Sequence, residues 1–266
     1  MRSIESLADL SGRVALVAGG TGHLGKAMSE ALAEAGATIV TLDLHRSDVD
    51  TAVAELQEKY PGKHCGIAID LSINAEIESV PEVIAGLAGR LDILVNTAAL
   101  VGSSGLEGWA APLPEQSITT WEKALQVNLT GGFYLIHQCL GLLGKSKFAS
   151  VICTGSIYGI AGQKTSLYEG MDYLTPAAYA ASKGGIVQLT RYLASVMAPG
   201  IRVNCISPGG IERGQDADFI QRYQDMTPMA RMGQEEDFKG VTLFLASDLS
   251  AYVTGQNIVV DGGWSL

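Results

Sequence analysis

Short apolar runs, rich in β-branched residues, alternate with longer helical segments along the whole of this 266-residue chain. The runs show no polar alternation, which is typical of strands covered on both faces of a parallel sheet. Strands are predicted at Val14–Ala18, Thr38–Leu42, Cys65–Ile69, Ile93–Val95, Ser150–Cys153, Val203–Ile206 and Asn257–Val260. Helices are predicted at Leu24–Glu34, Asp48–Lys59, Ala75–Ala88, Thr119–Leu143, Pro176–Met197 and Glu235–Ala246. The alternation predicts an α/β fold, a doubly wound parallel sheet with helices on both faces.

The chain is predicted to form a single domain over residues 1–266. No linker rich in Pro or Ser divides it, and 47% hydrophobic residues suffice for one large core. Residues 100–117 and 159–175 lack apolar periodicity and follow predicted strands. They are therefore expected over the carboxyl edge of the sheet, where such folds bind ligands, with residues 215–232 as a third pocket-forming loop.

The charge and the apolar pattern of the chain exclude some partners. The formal net charge is −10 without a basic cluster, so no nucleic acid is expected as a partner. The apolar stretches are far shorter than the roughly 20 residues needed to cross a bilayer, so no membrane partner is expected either. Residues 1–12 contain no apolar signal-peptide core and the four cysteines are scattered, which favours a cytoplasmic protein without disulfides or metal ligands.

A glycine-rich turn follows the first predicted strand. Gly20-x-Gly22-x-x-Gly25 matches the dinucleotide fingerprint, in which a strand, a glycine turn and a helix start direct backbone N–H groups at a pyrophosphate. Asp43 ends the next strand, where a carboxylate accepts both ribose hydroxyls and repels a 2′-phosphate. The pattern predicts a Rossmann-like site that prefers NAD to NADP. The neighbouring His45 and Arg46 leave an alternative open, because their positive charge favours a 2′-phosphate.

Tyr179 and Lys183 stand four residues apart, so on a helix their side chains share one face. A Lys ammonium beside a phenol favours the phenolate and lowers its pKa from about 10. The Tyr can then exchange a proton with a substrate oxygen while hydride passes to or from a nicotinamide. A Tyr-x-x-x-Lys spacing can occur by chance, so alone it is weak evidence. Together with Ser156, Asn128 and the glycine turn it indicates an oxidoreductase.

These motifs occur in the order seen in the short-chain dehydrogenase/reductase family, which the chain resembles over essentially its whole length. The resemblance rests on Gly19–Gly25, Asp70-Leu71, Asn96-Thr-Ala-Ala99, Asn128, Ser156, Tyr179-x-x-x-Lys183, Pro208-Gly209 and Asp261-Gly-Gly263. It implies that Ser156 orients the substrate oxygen, that Tyr179 is the acid/base and that Lys183 also holds the nicotinamide ribose. It further implies that Asn128 supports a proton-relay water.

The fingerprint and the resemblance together assign the remaining site. Cofactor-binding residues are expected at Gly19, Thr21, Gly22, His23, Leu24, Gly25, Asp43, Leu44, Asp70, Leu71, Asn96, Ala98, Tyr179, Lys183, Pro208, Gly209 and Ile211. Substrate-binding residues are expected at Ser156, Gln163, Tyr168, Tyr179 and Arg213, and no metal is expected. The resemblance implies that the Asp70-Leu71 pair approaches the adenine and that the segment after Pro208 flanks the nicotinamide.

The chain departs from the family pattern at several of these positions. Its glycine loop is similar to that of longer, sugar-nucleotide-modifying relatives and carries His23 where the family commonly has Gly, either as a phosphate donor or as a tolerated substitution. Thr97 and Ala99 alter the floor beneath the nicotinamide. Arg213 stands near a position where Thr is common, and its guanidinium is either a fork for a substrate carboxylate or phosphate, or a surface charge.

The largest departure is the step from Ser156 to Tyr179, which is longer than usual for the family. Residues 159–175 form an extra loop with many hydrogen-bonding side chains, which favours a polyhydroxylated ligand over a steroid or fatty-acyl chain. Ser156-Ile-Tyr-Gly and Tyr168-Glu-Gly are similar to a subgroup linked to bacterial surface-sugar and nonulosonic-acid metabolism. A subunit contact or a plain turn at Tyr168 is the alternative.

The expected function is hydride transfer between a nicotinamide cofactor and a secondary alcohol or ketone of a polar, sugar-like or sugar-acid substrate. A non-catalytic dinucleotide-binding regulatory protein on the same fold is the alternative. The helices Thr119–Leu143 and Pro176–Met197 have more apolar residues than one core-facing side needs, which indicates a second apolar face that packs against another surface. With the resemblance, they predict a homotetramer or homodimer, and a monomer that covers both helices with its own loops is the other possibility.

Overall fold

A seven-stranded parallel sheet forms the centre of the protein. The computed structural model describes residues 1–101 and 104–266. The strands are β1 (Val14–Ala18), β2 (Thr38–Asp43), β3 (Cys65–Ala68), β4 (Ile93–Asn96), β5 (Ser150–Thr154), β6 (Arg202–Pro208) and β7 (Asn257–Val260). They lie in the order β3-β2-β1-β4-β5-β6-β7, and every neighbouring pair is parallel. The doubly wound sheet and all seven predicted strands are confirmed.

Helices cover both faces of the sheet. They are α1 (Ile4–Ala8), α2 (His23–Glu34), α3 (Arg46–Lys59), α4 (Asn74–Ala88), α5 (Ile118–Leu125), α6 (Gly132–Leu143), α7 (Ala177–Met197), α8 (Ala217–Asp225) and α9 (Lys239–Ala246). The helix predicted at Glu235–Ala246 begins with a 3-10 turn, Glu235–Phe238, and continues as α9. Residues 102 and 103, within the loop predicted at 100–117, lie outside the described residues.

The helix predicted at Thr119–Leu143 is interrupted. A π-helical turn, Gln126–Gly131, joins α5 to α6. Glycines at the join let the helix approach the strand ends, because a Cβ on Gly131 would lie 2.3 Å from the Leu71 carbonyl oxygen and one on Gly132 would lie 2.3 Å from Asn96 Nδ2. The π turn therefore sits directly against the carboxyl edge of the sheet.

Two helices were not predicted, and one of them matters for the site. Helix α8 lies inside the stretch predicted as a loop over residues 215–232. Asp216 caps it by accepting hydrogen bonds from the N–H groups of Asp218 and Phe219. Phe219 and Tyr223 stand one turn apart on its inner face, and the Tyr223 side chain is buried.

Hydrophobic residues pack on both faces of the sheet, as the lack of polar alternation predicted. On one face, Leu16 of β1 packs in a cluster with residues of α4, α6 and α7. On the other face, Ala15 and Val17 pack in a cluster with residues of α2, α3 and α9. With both faces covered, the edge formed by the strand ends is left as the place for a ligand.

Candidate active site

A cavity of about 1220 Å³ opens at the carboxyl edge of the sheet. The strand order reverses between β1 and β4, so the helices that follow these two strands lie on opposite faces and leave a crevice between them. The cavity runs from the glycine turn after β1 to the loops after β5 and β6. Its size and place are those of a dinucleotide site with room for a substrate.

The glycine turn forms one end of the cavity. Gly19 has a φ of +76°, and a Cβ there would lie 2.6 Å from the Ala98 nitrogen, so glycine is required. A Cβ on Gly25 would lie 2.0 Å from the Gly19 carbonyl oxygen, so α2 can start this close to the turn only with glycine. The first N–H groups of α2 have no acceptor within the helix and form an anion-binding end at the cavity.

Asp43 is fixed at the end of β2 by the glycine turn. Its Oδ2 accepts hydrogen bonds from the Thr21 N–H at 3.0 Å and from the Thr21 hydroxyl at 2.6 Å. Its Oδ1 accepts a bond of 2.8 Å from the Leu44 N–H. The carboxylate lines the cavity in one orientation, which preorganises it for a ligand hydroxyl.

Arg46 is turned away from Asp43. Its Nη1 donates to the Gly66 carbonyl oxygen at 3.3 Å and lies 3.5 Å from Asp50 Oδ1, one turn further along α3. It is not among the described residues that line the cavity, and neither is His45. The Arg46 guanidinium, whose charge would favour the 2′-phosphate of NADP, therefore contacts β3 and α3 and does not line the cavity.

The changed floor at Thr97 has a structural explanation. The Thr97 hydroxyl donates to the carbonyl oxygens of Ala18 and Gly19, at 3.0 and 3.1 Å. It ties the end of β4 to the glycine turn. Asn96 is buried beneath the floor, where its Oδ1 accepts a 3.3 Å bond from the Ala98 N–H. The substitution thus keeps the floor rigid.

Asn128 lies on the π turn and is fully buried. Its Oδ1 accepts from the Leu100 N–H at 2.7 Å, and its Nδ2 donates to the Leu100 carbonyl oxygen and to Ser182 Oγ, both at 3.2 Å. The side chain uses both of its amide hydrogens and joins the loop after β4 to α7. Single π turns occur frequently at functional sites, because they redirect backbone groups that a regular helix would pair.

Ser156, Tyr179 and Lys183 come together at the end of β5. Ser156 follows the strand, and Tyr179 and Lys183 lie one turn apart near the start of α7. Lys183 Nζ donates to the carbonyl oxygen of Thr154 at 2.7 Å and lies 5.6 Å from the centre of the Tyr179 ring. All three side chains line the cavity.

The pKa directions at these residues follow from burial. Burial lowers the pKa of Lys183 to about 8. Burial raises the pKa of Tyr179 above its ordinary value, while the Ser156 hydroxyl and the charge of Arg213 oppose this shift. The direction for Tyr179 is opposite to the one predicted from the Tyr-x-x-x-Lys spacing. The reason is that desolvation of the phenolate outweighs the nearby positive charges.

Arg213 lies at the mouth of the cavity and is paired with Glu235. Its Nε donates to Glu235 Oε1 at 3.2 Å, and the same oxygen lies 3.4 Å from His23 Nδ1. No hydrogen bond from its Nη groups is found in the described part of the chain. One carboxylate thus joins the residue that starts α2 to a guanidinium that lines the cavity.

Five aromatic side chains form a closed ring over the other side of the cavity, which we call the aromatic cap. Tyr158, Tyr168, Phe219, Tyr223 and Trp264 make it up. Tyr168 contacts Phe219 edge to face at 5.6 Å, Phe219 lies 6.3 Å from Tyr223, Tyr223 stacks on Trp264 at 5.8 Å, and Trp264 meets Tyr158 at 5.9 Å. The hydroxyls of Tyr158 and Tyr168 close the ring at 2.8 Å. The cap joins the extra loop, α8 and the C-terminal residues.

The cavity brings together most of the residues predicted for it. The predicted residues that line it are Gly19, Thr21, Gly22, His23, Leu24, Gly25, Asp43, Leu44, Asp70, Leu71, Ala98, Ser156, Tyr168, Tyr179, Lys183, Pro208, Gly209, Ile211 and Arg213. Asn96 and Asn128 are buried directly behind the lining. Gln163 is not among the described lining residues, because the first half of the extra loop runs over Trp264, where Lys164 Nζ donates to the Trp264 carbonyl oxygen at 2.9 Å.

Four residues of the wall were not singled out from the sequence. Thr175, Phe219 and Tyr223 line the cavity within the loops predicted at 159–175 and 215–232, and Tyr158 lines it just before the first of these loops. Phe219 and Tyr223 carried a signal, because Asp216 is a good N-cap and the two aromatic residues have helical spacing. Thr175 carried none, since its role depends on how the extra loop returns to α7.

Among residues 1–101 and 104–266, no helix is long and apolar enough to cross a membrane. No group of three or more His, Cys, Asp or Glu side chains there is arranged to hold a metal ion. The four cysteines are free thiols, three of them buried and Cys65 half-buried.

Comparison with known proteins identifies relatives over the whole chain. A family model described as enoyl-(acyl carrier protein) reductase matches residues 21–265. The 3-oxoacyl-[acyl-carrier-protein] reductase FabG of Aquifex aeolicus is 31% identical over 96% of this chain and 98% of its own. The 2-dehydro-3-deoxy-D-gluconate 5-dehydrogenase of Pseudoalteromonas atlantica is 33% identical over 96% of each chain.

Solved structures with the same fold contain either nicotinamide cofactor. A gluconate 5-dehydrogenase from Burkholderia cenocepacia, in complex with NADP and tartrate, has a TM-score of 0.87 and 27% identity over 99% of both chains. A short-chain dehydrogenase from Leptospira borgpetersenii with bound NAD⁺ has a TM-score of 0.85 and 32% identity, over 100% of this chain and 97% of its own. Neither relative by itself decides which of the two cofactors this chain prefers.

Proposed function

The chain belongs to the short-chain dehydrogenase/reductase family and is an NAD(P)-dependent oxidoreductase, and from that premise we propose how its own residues perform the reaction. Tyr179 exchanges the proton with the substrate oxygen, Ser156 orients that oxygen, and Lys183 holds the nicotinamide ribose. The convergence of these three side chains on one cavity wall carries the proposal. The bound nicotinamide supplies or accepts the hydride at the adjacent carbon.

The residues of the cavity fit a dinucleotide. The free N–H groups at the start of α2 suit a pyrophosphate, and the oriented Asp43 carboxylate suits a pair of ribose hydroxyls. The other cofactor-binding positions follow along the same edge, with Asp70 and Leu71 at the adenine end and Pro208, Gly209 and Ile211 at the nicotinamide end. Asn128 supports the proton-relay water in this proposal.

NAD is the preferred cofactor in this proposal. Asp43 lines the cavity with a full carboxylate that would repel a 2′-phosphate. Arg46, the residue that favours NADP in the sequence, contacts Gly66 and Asp50 instead. With the counter-charge turned away, the repulsion at Asp43 dominates.

The proposed substrate is a secondary alcohol or ketone on a polar, sugar-like or sugar-acid molecule. Tyr168 and Arg213 line the cavity, and the loops at residues 100–117 and 159–175 contribute to its walls. A sugar-acid carboxylate would pair with Arg213. One relative acts, by its name, on a deoxygluconate, and another on an acyl-carrier-protein thioester. The polar groups of this wall favour the former.

A non-catalytic role gains no support from the comparisons. The matched relatives are named as dehydrogenases and reductases, and in this chain Ser156, Tyr179 and Lys183 line one cavity. A binding protein would have no use for a buried lysine beside a phenol at the substrate end of the cavity.

The remaining predictions concern the whole molecule. We propose that residues 1–266 act as one NAD(P)-binding domain that forms a homotetramer or homodimer in the cytoplasm. Phe133 of α6 and Tyr192 and Val196 of α7 are exposed apolar side chains that a second copy would cover. Light scattering on the purified protein tests the assembly.

Binding and turnover together test the proposed function. Titration with NADH and NADPH, followed by nicotinamide fluorescence, should give a lower Kd for NADH. The absorbance of the nicotinamide is then followed with ketoses, keto-aldonates and alditols. Oxidation or reduction of any of these, lost in Tyr179→Phe, is the expected result. Binding of NADH without turnover on the panel would contradict the proposed substrate class.

A further inference from the structure

Three hydroxyl groups form a hydrogen-bonded chain along the cap side of the cavity, which we call the hydroxyl chain. The Tyr158 and Tyr168 hydroxyl oxygens lie 2.8 Å apart, and Thr175 Oγ1 lies 2.7 Å from the Tyr168 oxygen. All three side chains line the cavity. Tyr168 is buried and stands in the middle, while Tyr158 and Thr175 at the two ends are half-buried.

The segments that carry the two ends of the hydroxyl chain adjoin the two residues of the proposed reaction. The Tyr158 N–H donates to Ser156 Oγ at 3.2 Å. Thr175 comes immediately before Pro176, which caps the helix that carries Tyr179. The extra loop thus leaves the sheet beside one catalytic hydroxyl and returns beside the other. The hydroxyl chain lines the same cavity as Ser156 and Tyr179, so one substrate can contact both sets of hydroxyls.

The hydroxyl chain has hydrogen-bonding capacity to spare. Three hydroxyls carry three protons, and the two contacts between them use two. The third proton is on Tyr158, Thr175 or Tyr168, according to the direction in which the bonds run, and each hydroxyl that donates keeps free acceptor lone pairs. The Thr175 hydroxyl also acts on the Tyr158 phenol, but no hydrogen bond of standard geometry joins the two. One donor and one acceptor are therefore offered to a ligand.

The hydroxyl chain is also neutral. Burial raises the pKa of Tyr158, so its phenol stays protonated at any working pH. A neutral donor and acceptor pair complements a neutral diol, in which one hydroxyl donates and the next accepts. The apolar ring of Phe219 and the ring of Tyr173 beside Tyr168 suit the C–H face of such a ligand.

We propose that the hydroxyl chain is a specificity-determining subsite that binds a vicinal diol of the substrate next to the reacting carbon. The proposal rests on the oxidoreductase function above and narrows its substrate to a ketose or alditol with such a diol. A site built to pair hydroxyls discriminates strongly against analogues that lack them, because its own polar groups are then left unpaired.

Kinetics on a matched pair of ketones test the subsite. Erythrulose and 2-butanone share a four-carbon skeleton, but only erythrulose has the diol. The ratio of their kcat/KM values with NADH is measured for the wild type, Tyr158→Phe and Thr175→Val. Each variant should lower the ratio roughly tenfold, the value of one lost hydrogen bond. Tyr252→Phe, which removes a phenol from a fully exposed side chain, should leave the ratio unchanged.

A purely structural role makes a different prediction. If the hydroxyl chain only closes the extra loop, both variants lower Tm and reduce kcat/KM for the two ketones equally. An unchanged ratio in both variants would overturn the subsite. Two variants at opposite ends keep the test decisive if one of them fails to fold.

Calorimetry separates the subsite from the proposed function. Threitol is titrated into each protein saturated with NAD, and binding should weaken about tenfold in Tyr158→Phe. Weakened binding without turnover of either ketone by the wild type would contradict the function and support the subsite. Turnover of erythrulose with equal threitol binding in all proteins would leave the function and overturn the subsite. A wild type that neither binds threitol nor prefers erythrulose would also overturn it.

Discussion

The two sides of the cavity are positioned in different ways. On the cofactor side, functional groups stand at the ends of strands or the start of a helix, as Asp43 does on β2 and Gly25 on α2. On the substrate side, the groups of the aromatic cap come from the extra loop, α8 and the C-terminal residues, and hold one another. Sheet register fixes the first set, while contacts between distant segments fix the second.

This difference suits the two sides of the cavity to different ligands. A site fixed by the sheet is rigid and suits a ligand that never changes, such as a dinucleotide. A site fixed by loop contacts can change its substrate without disturbing the sheet, because loops tolerate insertion far better than strands do. The extra loop of this chain alters only the second side.

The largest expected effect is on kcat and follows substitution of Tyr179, which lies between the cofactor side and the substrate side of the cavity. Tyr179→Phe removes the proposed acid/base while keeping the ring against Lys183. We expect kcat to fall about 100- to 10,000-fold, the usual contribution of such a group, with the Kd for NADH changed less than about threefold. Steady-state kinetics and a fluorescence titration measure the two quantities. Full turnover in this variant would remove Tyr179 from the mechanism.

Gly25→Ala tests the rigidity of the cofactor side. The added Cβ would lie 2.0 Å from the Gly19 carbonyl oxygen, so α2 or the turn must move. We expect the free energy of unfolding to fall by about 2–3 kcal/mol, as for other overpacked sites, and NADH binding to weaken. Urea denaturation measures the first.

Gly240→Ala is the matched control for Gly25→Ala. Gly240 lies within α9, and a Cβ there meets no atom within 4 Å. Alanine in an open helical position should stabilise the protein by about 0.4–1 kcal/mol. Equal effects of the two substitutions would show that close packing at the glycine turn is not what requires Gly25.

Tyr223→Phe tests whether the two sides are independent. The Tyr223 hydroxyl accepts a 2.5 Å hydrogen bond from the Gly210 N–H just after β6, while its ring stacks on Trp264. Phenylalanine keeps the stack and leaves the N–H unpaired, which should cost about 1–2 kcal/mol of unfolding free energy. We expect the KM for the ketone substrate to rise more than the Kd for NADH. A larger change in the Kd for NADH than in the KM for the ketone would show that the aromatic cap also positions the cofactor side.

The smallest expected effect is a pH dependence at the outer edge of the cofactor side. His64 Nδ1 accepts a 3.0 Å hydrogen bond from the Ile39 N–H, and burial lowers the pKa of His64 below its ordinary value of 6.5. The unfolded chain therefore binds the proton first. This contribution to stability is present above about pH 6.5 and is lost as the pH falls through the lower, folded-state pKa.

His64→Asn provides the control for this dependence. An Asn carbonyl oxygen can accept the Ile39 N–H but does not titrate near neutral pH. Urea midpoints between pH 8 and pH 5 should fall more steeply in the wild type than in His64→Asn. Parallel curves for the two proteins would show that His64 titrates alike in the folded and unfolded states.

What could be predicted from the sequence follows the same division. The strands and the glycine-turn end of the cavity lining were predictable, because apolar runs, glycine spacing and a strand-end carboxylate are local signals. Gln163 was expected at the substrate and lies off the cavity lining, since the pairing of Lys164 with Trp264 draws that part of the loop away. No local signal connects residues a hundred positions apart.

The pKa of Tyr179 shows a second limit of sequence reasoning. The spacing to Lys183 gives the sign of one charge interaction, but it does not give the burial of the phenol, which acts in the opposite direction. The π turn at Asn128 is a third example. It depends on two glycines packed against strand ends, which a helical pattern of apolar residues does not reveal.

The most direct measurement follows deuterium from the cofactor to the substrate. NADH carrying deuterium at the transferred position is mixed with the wild-type protein and erythrulose, and the alcohol product is analysed by mass spectrometry. The proposed site predicts one deuterium on the new carbinol carbon, and about 100- to 10,000-fold slower formation of the labelled product with Tyr179→Phe. A reduced product without deuterium, or equal labelling by the variant, would contradict hydride transfer assisted by Tyr179.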